Sequence, residues 1–151
     1  MKIIDGGVTA AKGFKAAGMH AGIKKGTKKD MAMIVSSAPC MAAGTFTTNL
    51  VKAAPVKWDQ HVVYEHGEAR AVVVNSGIAN ACTGAEGYGY CEETAKAAAE
   101  ALGIDKDEVL VASTGVIGKQ LPIDTIKKGV KDLSGLLLDT REAATLAAES
   151  I

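Results

Sequence analysis

Two stretches of this 151-residue chain carry the residue types from which a reaction centre is built. Val72-Val73-Val74-Asn75-Ser76-Gly77-Ile78-Ala79-Asn80-Ala81-Cys82-Thr83-Gly84 and Val109-Leu110-Val111-Ala112-Ser113-Thr114-Gly115-Val116-Ile117-Gly118 share a design. In each, a β-branched run enters a small, polar, glycine-containing turn. At the C-terminal end of a strand in an α/β protein, backbone N–H groups lose their ladder partners, and a turn without bulky side chains lets a ligand oxygen approach them. On pattern alone either turn is ligand-touching or plainly structural, the second being the commoner fate. The second turn suits an oxyanion hole, with the Gly115 N–H and the Thr114 hydroxyl or N–H aimed at one developing negative oxygen. A donor so placed contributes roughly 3–4 kcal/mol to transition-state stabilisation.

Other chemistries are poorly supported. Gly115-Val116-Ile117-Gly118-Lys119 has the glycines and lysine of a phosphate-binding loop, but that motif needs four residues between the glycines and a Ser or Thr after the lysine. Here two intervene and Gln120 follows. No Ser-His-Asp or Cys-His arrangement is readable locally. Cys82 lies in a suggestive turn without an adjacent base and reads as an inert buried thiol. The cysteines (Cys40, Cys82, Cys91) are odd in number and at no metal-ligand spacing. The histidines (His20, His61, His66) are scattered and form no metal motif with them. The expectation is buried thiols, solvated imidazoles and no metal.

The elements that must position the two turns follow from periodicity. Met31–Val35, Ala43–Thr48, Ala71–Val74 and Glu108–Ala112 read as strands. Tyr88, Cys91, Ala95, Ala98 and Leu102 recur at helical spacing, with Gly103 as a C-terminal stop. A second helix starts at Pro122 with the stripe Ile123, Ile126, Val130, Leu133, Leu137. A third starts at Asp139, which has capping-box spacing to Glu142, and runs to Ile151. Residues 6–29, rich in Gly and Lys, read as irregular or extended, and Lys24–Lys29 as a solvated loop.

Hydrophobic residues are 48% of the chain, enough for a packed core, while aromatics are only 4%, so the core is built from closely approaching small residues. Basic and acidic residues balance at 17 each, which marks no surface for nucleic acid or anionic membrane. No apolar run approaches the ~20 residues a bilayer demands. Met1–Gly7 lacks a secretory h-region, so a cytoplasmic location is expected. Residues 1–151 read as a single mixed α/β unit.

Gly7-Val8-Thr9-Ala10-Ala11-Lys12-Gly13-Phe14, Ala43-Gly44-Thr45-Phe46-Thr47-Thr48-Asn49, the Val74–Gly84 turn and Ser113–Gly118 together resemble the signatures of the ornithine acetyltransferase (glutamate N-acetyltransferase) family. They occur in the family's order and cover the chain from Val8 onward. One departure is Ile78, where the family usually carries a second asparagine in Asn-Ser-Gly-Asn-Ala-Asn. The resemblance implies a mixed α/β (α+β) layered sandwich shared by two chains that arise by self-cleavage, with residues 1–151 the N-terminal, alpha-chain part.

The resemblance also implies a reaction: acetyl transfer from N-acetylornithine to glutamate in arginine biosynthesis, with acetyl-CoA accepted by some members. A threonine at the start of the second (beta) chain is the nucleophile, and its own α-amine is the general base. The oxyanion hole maps onto Thr114 and Gly115, and no metal or redox cofactor is required. Assembly as a dimer of heterodimers is implied as well. Ala147–Ile151 matches a family stretch that precedes the cleavage site, so the chain reads as a shortened first chain. Two rivals remain: a self-cleaving aminopeptidase or amidohydrolase of related architecture, and a non-catalytic small-molecule-binding module.

Overall fold

The computed structural model describes residues 6–151. Among them four strands form one sheet in the order β1-β2-β3-β4: β1 (Phe14–Met19), β2 (Met31–Met41), β3 (Glu68–Asn75) and β4 (Val109–Ser113). The first three run antiparallel, and β4 lies parallel to β3, with Ala71 opposite Val109 and Asn75 opposite Ser113. A parallel neighbour requires a crossover, supplied here by α2 (Glu86–Leu102). The crossover brings the C-terminal ends of β3 and β4, and both turns, to the same edge of the sheet.

Side-chain alternation divides the sheet into two faces. On one, Met31, Met33, Val73, Val109 and Val111 pack with Cys91, Ala95 and Ala98 of α2 and Ile126, Val130 and Leu133 of α3 (Ile123–Ser134) in the main core. On the other, Ala16, Ala32 and Val74 meet Ala147 of α4 (Arg141–Ala148), while Ile34, Val72 and Ala112 stay half-buried. Helix α4 lies over β1 and β2 and leaves the β3–β4 half of this face thinly covered.

Both outer strands have part of their open hydrogen-bonding edges covered. Beside β1, the backbone of Leu138 exchanges two hydrogen bonds with Ala16. Beside β4, side chains of α1 (Ala54–His61) do the work. The fully buried Trp58 donates its indole N–H to the Val109 carbonyl at 2.8 Å, and the Asp59 carboxylate accepts the Val111 N–H at 2.9 Å. Covering an edge in this way prevents it from pairing with another chain.

Several elements differ from the sequence reading. Residues 6–29 contain β1 and a short 3₁₀ turn (Val8–Ala10). Residues 43–48 are irregular despite their β propensity. They pair with no strand, and Phe46 packs edge-to-face on Tyr64, 5.4 Å between ring centres. Helix α3 begins at Ile123 with Pro122 as its cap residue. Helix α4 is capped by Thr140, whose hydroxyl accepts the Ala143 N–H, rather than by Asp139, and it ends at Ala148 rather than Ile151. Helix α1 has no strong apolar stripe, so periodicity does not mark it. Gly103 does end α2, in the left-handed conformation.

Burial pushes the Asp59 carboxyl up to about 6, against the opposing pull of the Val111 N–H. A carboxyl raised above its unfolded value of about 3.9 favours the fold fully below that value, and the contribution is lost as pH rises through about 6. Asp59→Asn keeps an acceptor for Val111 but cannot ionise. Its stability relative to wild type should therefore be more favourable at pH 8 than at pH 4 by about 2 kcal/mol, reduced from the full shift because the group is not sealed from water. Urea unfolding at both pH values measures this, and an equal gap at the two would refute it.

Candidate active site

The two turns at the ends of β3 and β4 are hydrogen-bonded to each other. The Thr114 N–H donates to the Asn75 carbonyl (3.0 Å), Val116 N–H to Gly77 (3.1 Å), Ala79 N–H to Val116 (2.9 Å) and Gly118 N–H to Ala81 (2.9 Å). The parallel pairing of the strands thus continues into the loops, with a bridge between Ile78 and Val116. Side chains add a second layer. Asn75 donates to the Ile78 carbonyl (2.8 Å), Ser113 donates to the same carbonyl (3.1 Å), and the Asn80 N–H donates to the Ser113 hydroxyl (2.9 Å).

Thr114 and Gly115 sit at the exposed lip of this assembly. The Thr114 N–H is committed to Asn75, so of the donors the sequence offered, the Thr114 hydroxyl and the Gly115 N–H remain. Among the described residues neither has an intramolecular hydrogen-bond partner. Gly115 has φ +126°, a left-handed conformation that L side chains rarely adopt. A Cβ there would also lie 2.3 Å from the carbonyl carbon of Gly77 and 2.5 Å from its oxygen. Glycine at 115 is what allows the two loops to touch.

Behind the lip the site is braced by groups the sequence reading did not single out. Buried Asn80 donates to the Gly87 carbonyl (2.8 Å) and to Cys91 Sγ (3.3 Å), and its oxygen accepts from the Thr83 hydroxyl (2.7 Å). It ties the β3 loop to the first turn of α2, which has no side-chain cap of its own. The Cys91 thiol is pushed up to about 12 by burial, then by the charge of Asp59, with the Asn80 amide opposing, so it is an inert core thiol. Cys82 is different: it is exposed and in the left-handed conformation (φ 56°), which corrects the expectation of a buried thiol. Ile78 is 7% exposed and belongs to the core, so only its backbone takes part in the turn.

Opposite Gly115, the other side of Gly77 is closed by the 21–24 loop. A Cβ on Gly77 would lie 2.9 Å from Lys24 Cγ and 3.3 Å from Ile23 Cγ2. That loop is held by Asp30, a fully buried carboxylate that accepts N–H bonds from Ala21 (2.6 Å), Gly22 (3.2 Å), Ile23 (2.7 Å) and Lys24 (2.8 Å). Burial alone would raise the Asp30 carboxyl. The donors from Ala21, Lys24 and Ile23, with His20 at 3.3 Å, outweigh it and hold the group below its usual value. The lysine-rich stretch is therefore a loop ordered around an internal anion, with Lys25–Lys28 in solvent.

A cleft of about 700 Å³ is lined by Cys82, Thr83 and Gly84 of the β3 loop and by Lys52, Lys57 and Tyr88. Neither Thr114 nor Gly115 lines it. Of the histidines, expected to be scattered, His20 does stand apart beside Asp30, but His61 and His66 converge on Asp107 at the far end of β3 and β4. No helix among the described residues is long and apolar enough to cross a membrane.

These features define a mixed α/β fold whose two loop-bearing strand ends are joined into one edge. The chain belongs to the ArgJ family, whose sequence profile matches residues 15–151. It is 52% identical over 148 residues to the arginine biosynthesis bifunctional protein ArgJ of Gloeobacter violaceus, covering 98% of this chain and 36% of that protein. It is 50% identical over 153 residues to the ArgJ of Symbiobacterium thermophilum, covering 37% of that protein. The chain thus spans about a third of the length of the curated relatives it matches.

Among solved structures, the ArgJ of Bacillus halodurans superposes with a TM-score of 0.93 at 42% identity, covering 100% of this chain and 78% of that one. The Mycobacterium tuberculosis ornithine acetyltransferase in complex with ornithine also gives 0.93, at 43% identity, covering 99% of this chain and 80% of that one.

Gly115→Ala should destabilise the protein by roughly 2 kcal/mol or more, because it adds backbone strain and drives a methyl into Gly77. A melting temperature equal to wild type would show that the loops do not need their close contact. Asp30→Asn should cost about 3 kcal/mol at neutral pH, since the amide cannot satisfy four converging donors. A lowered carboxyl stabilises the fold above its unfolded value of about 3.9 and loses that effect as pH falls. The gap between Asp30→Asn and wild type should accordingly narrow below about pH 4 in denaturation experiments; a gap independent of pH would be the contrary result.

Proposed function

We propose that this chain is the N-terminal part of an enzyme that transfers an acetyl group from N-acetylornithine to glutamate, and that Thr114 and Gly115 form its oxyanion hole. The observation that carries the proposal is the pair of unengaged donors at the exposed lip, the Thr114 hydroxyl and the Gly115 N–H, on loops locked in place by four inter-loop backbone bonds. Donors that are fixed before the reaction need no reorganisation as charge develops, which is the source of their catalytic effect. Membership of the ArgJ family, and the ornithine bound to the M. tuberculosis relative, support the substrate class.

In this mechanism a threonine hydroxyl at the start of a second chain attacks the N-acetyl carbonyl. Its proton passes to that threonine's own α-amine, and Thr114 and Gly115 hold the oxygen as it becomes negative. The C–N bond breaks, ornithine leaves as the amine with the proton, and the acetyl group remains as an ester on the threonine. The glutamate amine then attacks the ester, which forms N-acetylglutamate and frees the threonine. The chemistry needs neither a metal nor a redox cofactor, and acetyl-CoA enters as an alternative donor by the same ester.

The second chain, produced by self-cleavage, would share the sheet's thinly covered face, where Val72, Ile34 and Ala112 remain half-buried. This unit, residues 1–151, and that chain would form the layered sandwich, two such pairs would make the cytoplasmic assembly, and neither nucleic acid nor membrane takes part.

Thr114→Ala in the complete enzyme should lower turnover by ~10²–10³-fold with the fold intact. Following N-acetylglutamate formation alongside circular dichroism measures both. Near-normal turnover would remove Thr114 from the oxyanion hole. Release of free acetate without acetylglutamate would replace transfer by hydrolysis.

A further inference from the structure

We propose that His61, His66 and Asp107 form a binding site for a divalent transition metal such as Zn²⁺, at the end of the sheet opposite the candidate active site. Their ligating atoms all lie within 4.8 Å of one another. His61 Nε2 is 3.8 Å from one Asp107 oxygen and His66 Nε2 is 3.7 Å from the other. Ligands at ~2.0–2.1 Å around a tetrahedral zinc stand about 3.3 Å apart, so small side-chain rotations close the site. Two imidazoles with a carboxylate suit zinc, copper or nickel better than calcium or magnesium, which prefer all-oxygen sets.

The local backbone is shaped to bring the histidines together. Five residues apart on an α-helix, two side chains diverge by about 140°. Here α1 passes into a π-helical turn, Val62–His66, closed by a 3.0 Å bond from the Gly67 N–H to the Val62 carbonyl. The i→i+5 pattern sets residue 66 over residue 61, and the two rings meet edge-to-face at 5.1 Å. Asp107 is presented by the short turn Lys106–Glu108, which the Asp105/Glu108 capping box holds rigid.

Orientation is also supplied. Glu65 lies 3.1 Å from His61 Nδ1, near enough that, by accepting a hydrogen bond from an Nδ1–H, its carboxylate would favour the tautomer whose Nε2 lone pair is free for a metal. The His61, His66 and Asp107 side chains are 30%, 41% and 20% exposed, so the ion has an entry path and water can complete its shell. One group opposes binding: Lys106 Nζ is 2.9 Å from Asp107 Oδ1. Its charge repels a cation and its bond competes for the carboxylate. Occupancy would clamp the end of α1 to the turn that leads into β4, beside the Trp58 that covers that strand's edge.

The test uses the protein expressed from its complete gene and stripped with chelator. Calorimetric titration with Zn²⁺ should show one more equivalent per chain in wild type than in His61→Ala/His66→Ala, with a rise in melting temperature that the variant lacks. Glu65→Gln should weaken this site by about tenfold or more, as removal of an orienting carboxylate does. Lys106→Gln should tighten it, an effect that a merely structural histidine pair would not produce. Co²⁺ should give the visible absorption of a tetrahedral nitrogen–oxygen site in wild type only. Equal Zn²⁺ stoichiometry and melting shift in wild type and the double variant would overturn the proposal, as would a Lys106→Gln affinity no tighter than wild type.

Discussion

A single buried carboxylate sets the geometry on which the rest of the candidate active site depends. Asp30 stands at the entrance to β2, and its side chain gathers four successive backbone N–H groups of the 21–24 loop. Its main chain accepts from Ser76 and donates to Met19, so one residue joins the end of β1, the start of β2 and the turn after β3. An ionised group without water is tolerated only when its oxygens are satisfied, and this one is satisfied by donors that would otherwise be orphaned in an irregular loop. Charge and loop each remove the other's cost.

From Asp30 the constraint passes outward by contact. The ordered loop brings Lys24 Cγ within 2.9 Å and Ile23 Cγ2 within 3.3 Å of where a Gly77 Cβ would stand, and Gly77 in turn meets Gly115 far closer than a Cβ there would permit. The pairing of β3 with β4 then fixes which donors are spent and which are free: the Thr114 N–H is used internally, while the Thr114 hydroxyl and the Gly115 N–H have no hydrogen-bond partner among the described residues. A site of this kind is rigid because its loops are extensions of a sheet, held by the same backbone bonds. Its far end is anchored by α2 through Asn80, a residue that serves the loop and the helix together.

The two ends of the β3–β4 pair have different characters. The C-terminal end is backbone-rich and built from small residues, suited to an anionic oxygen. The N-terminal end carries imidazoles and a carboxylate, suited to a cation. Trp58 and Asp59 lie between them along the edge of β4, so the strand is held along its length by side chains of a helix that the sequence pattern did not reveal.

What the sequence determined by itself was local. β-branched runs ending in Asn-Ser-Gly and Ser-Thr-Gly marked β3, β4 and the two turns, and helical spacing marked α2 and most of α3, because each signal is carried by residues a few positions apart. The turn that carries Thr114 and Gly115 was legible for the same reason. The tertiary structure decided the rest. Nothing local says that residues 43–48 find no strand to pair with, or that Trp58 and Asp59 complete an edge 51 and 52 residues away. Nothing local shows four donors converging on Asp30, or a π turn stacking His61 on His66 beside an aspartate from another segment. Propensity and periodicity describe a residue's near neighbours, whereas pairing, register and convergence are settled by which distant segments the packed core brings into contact.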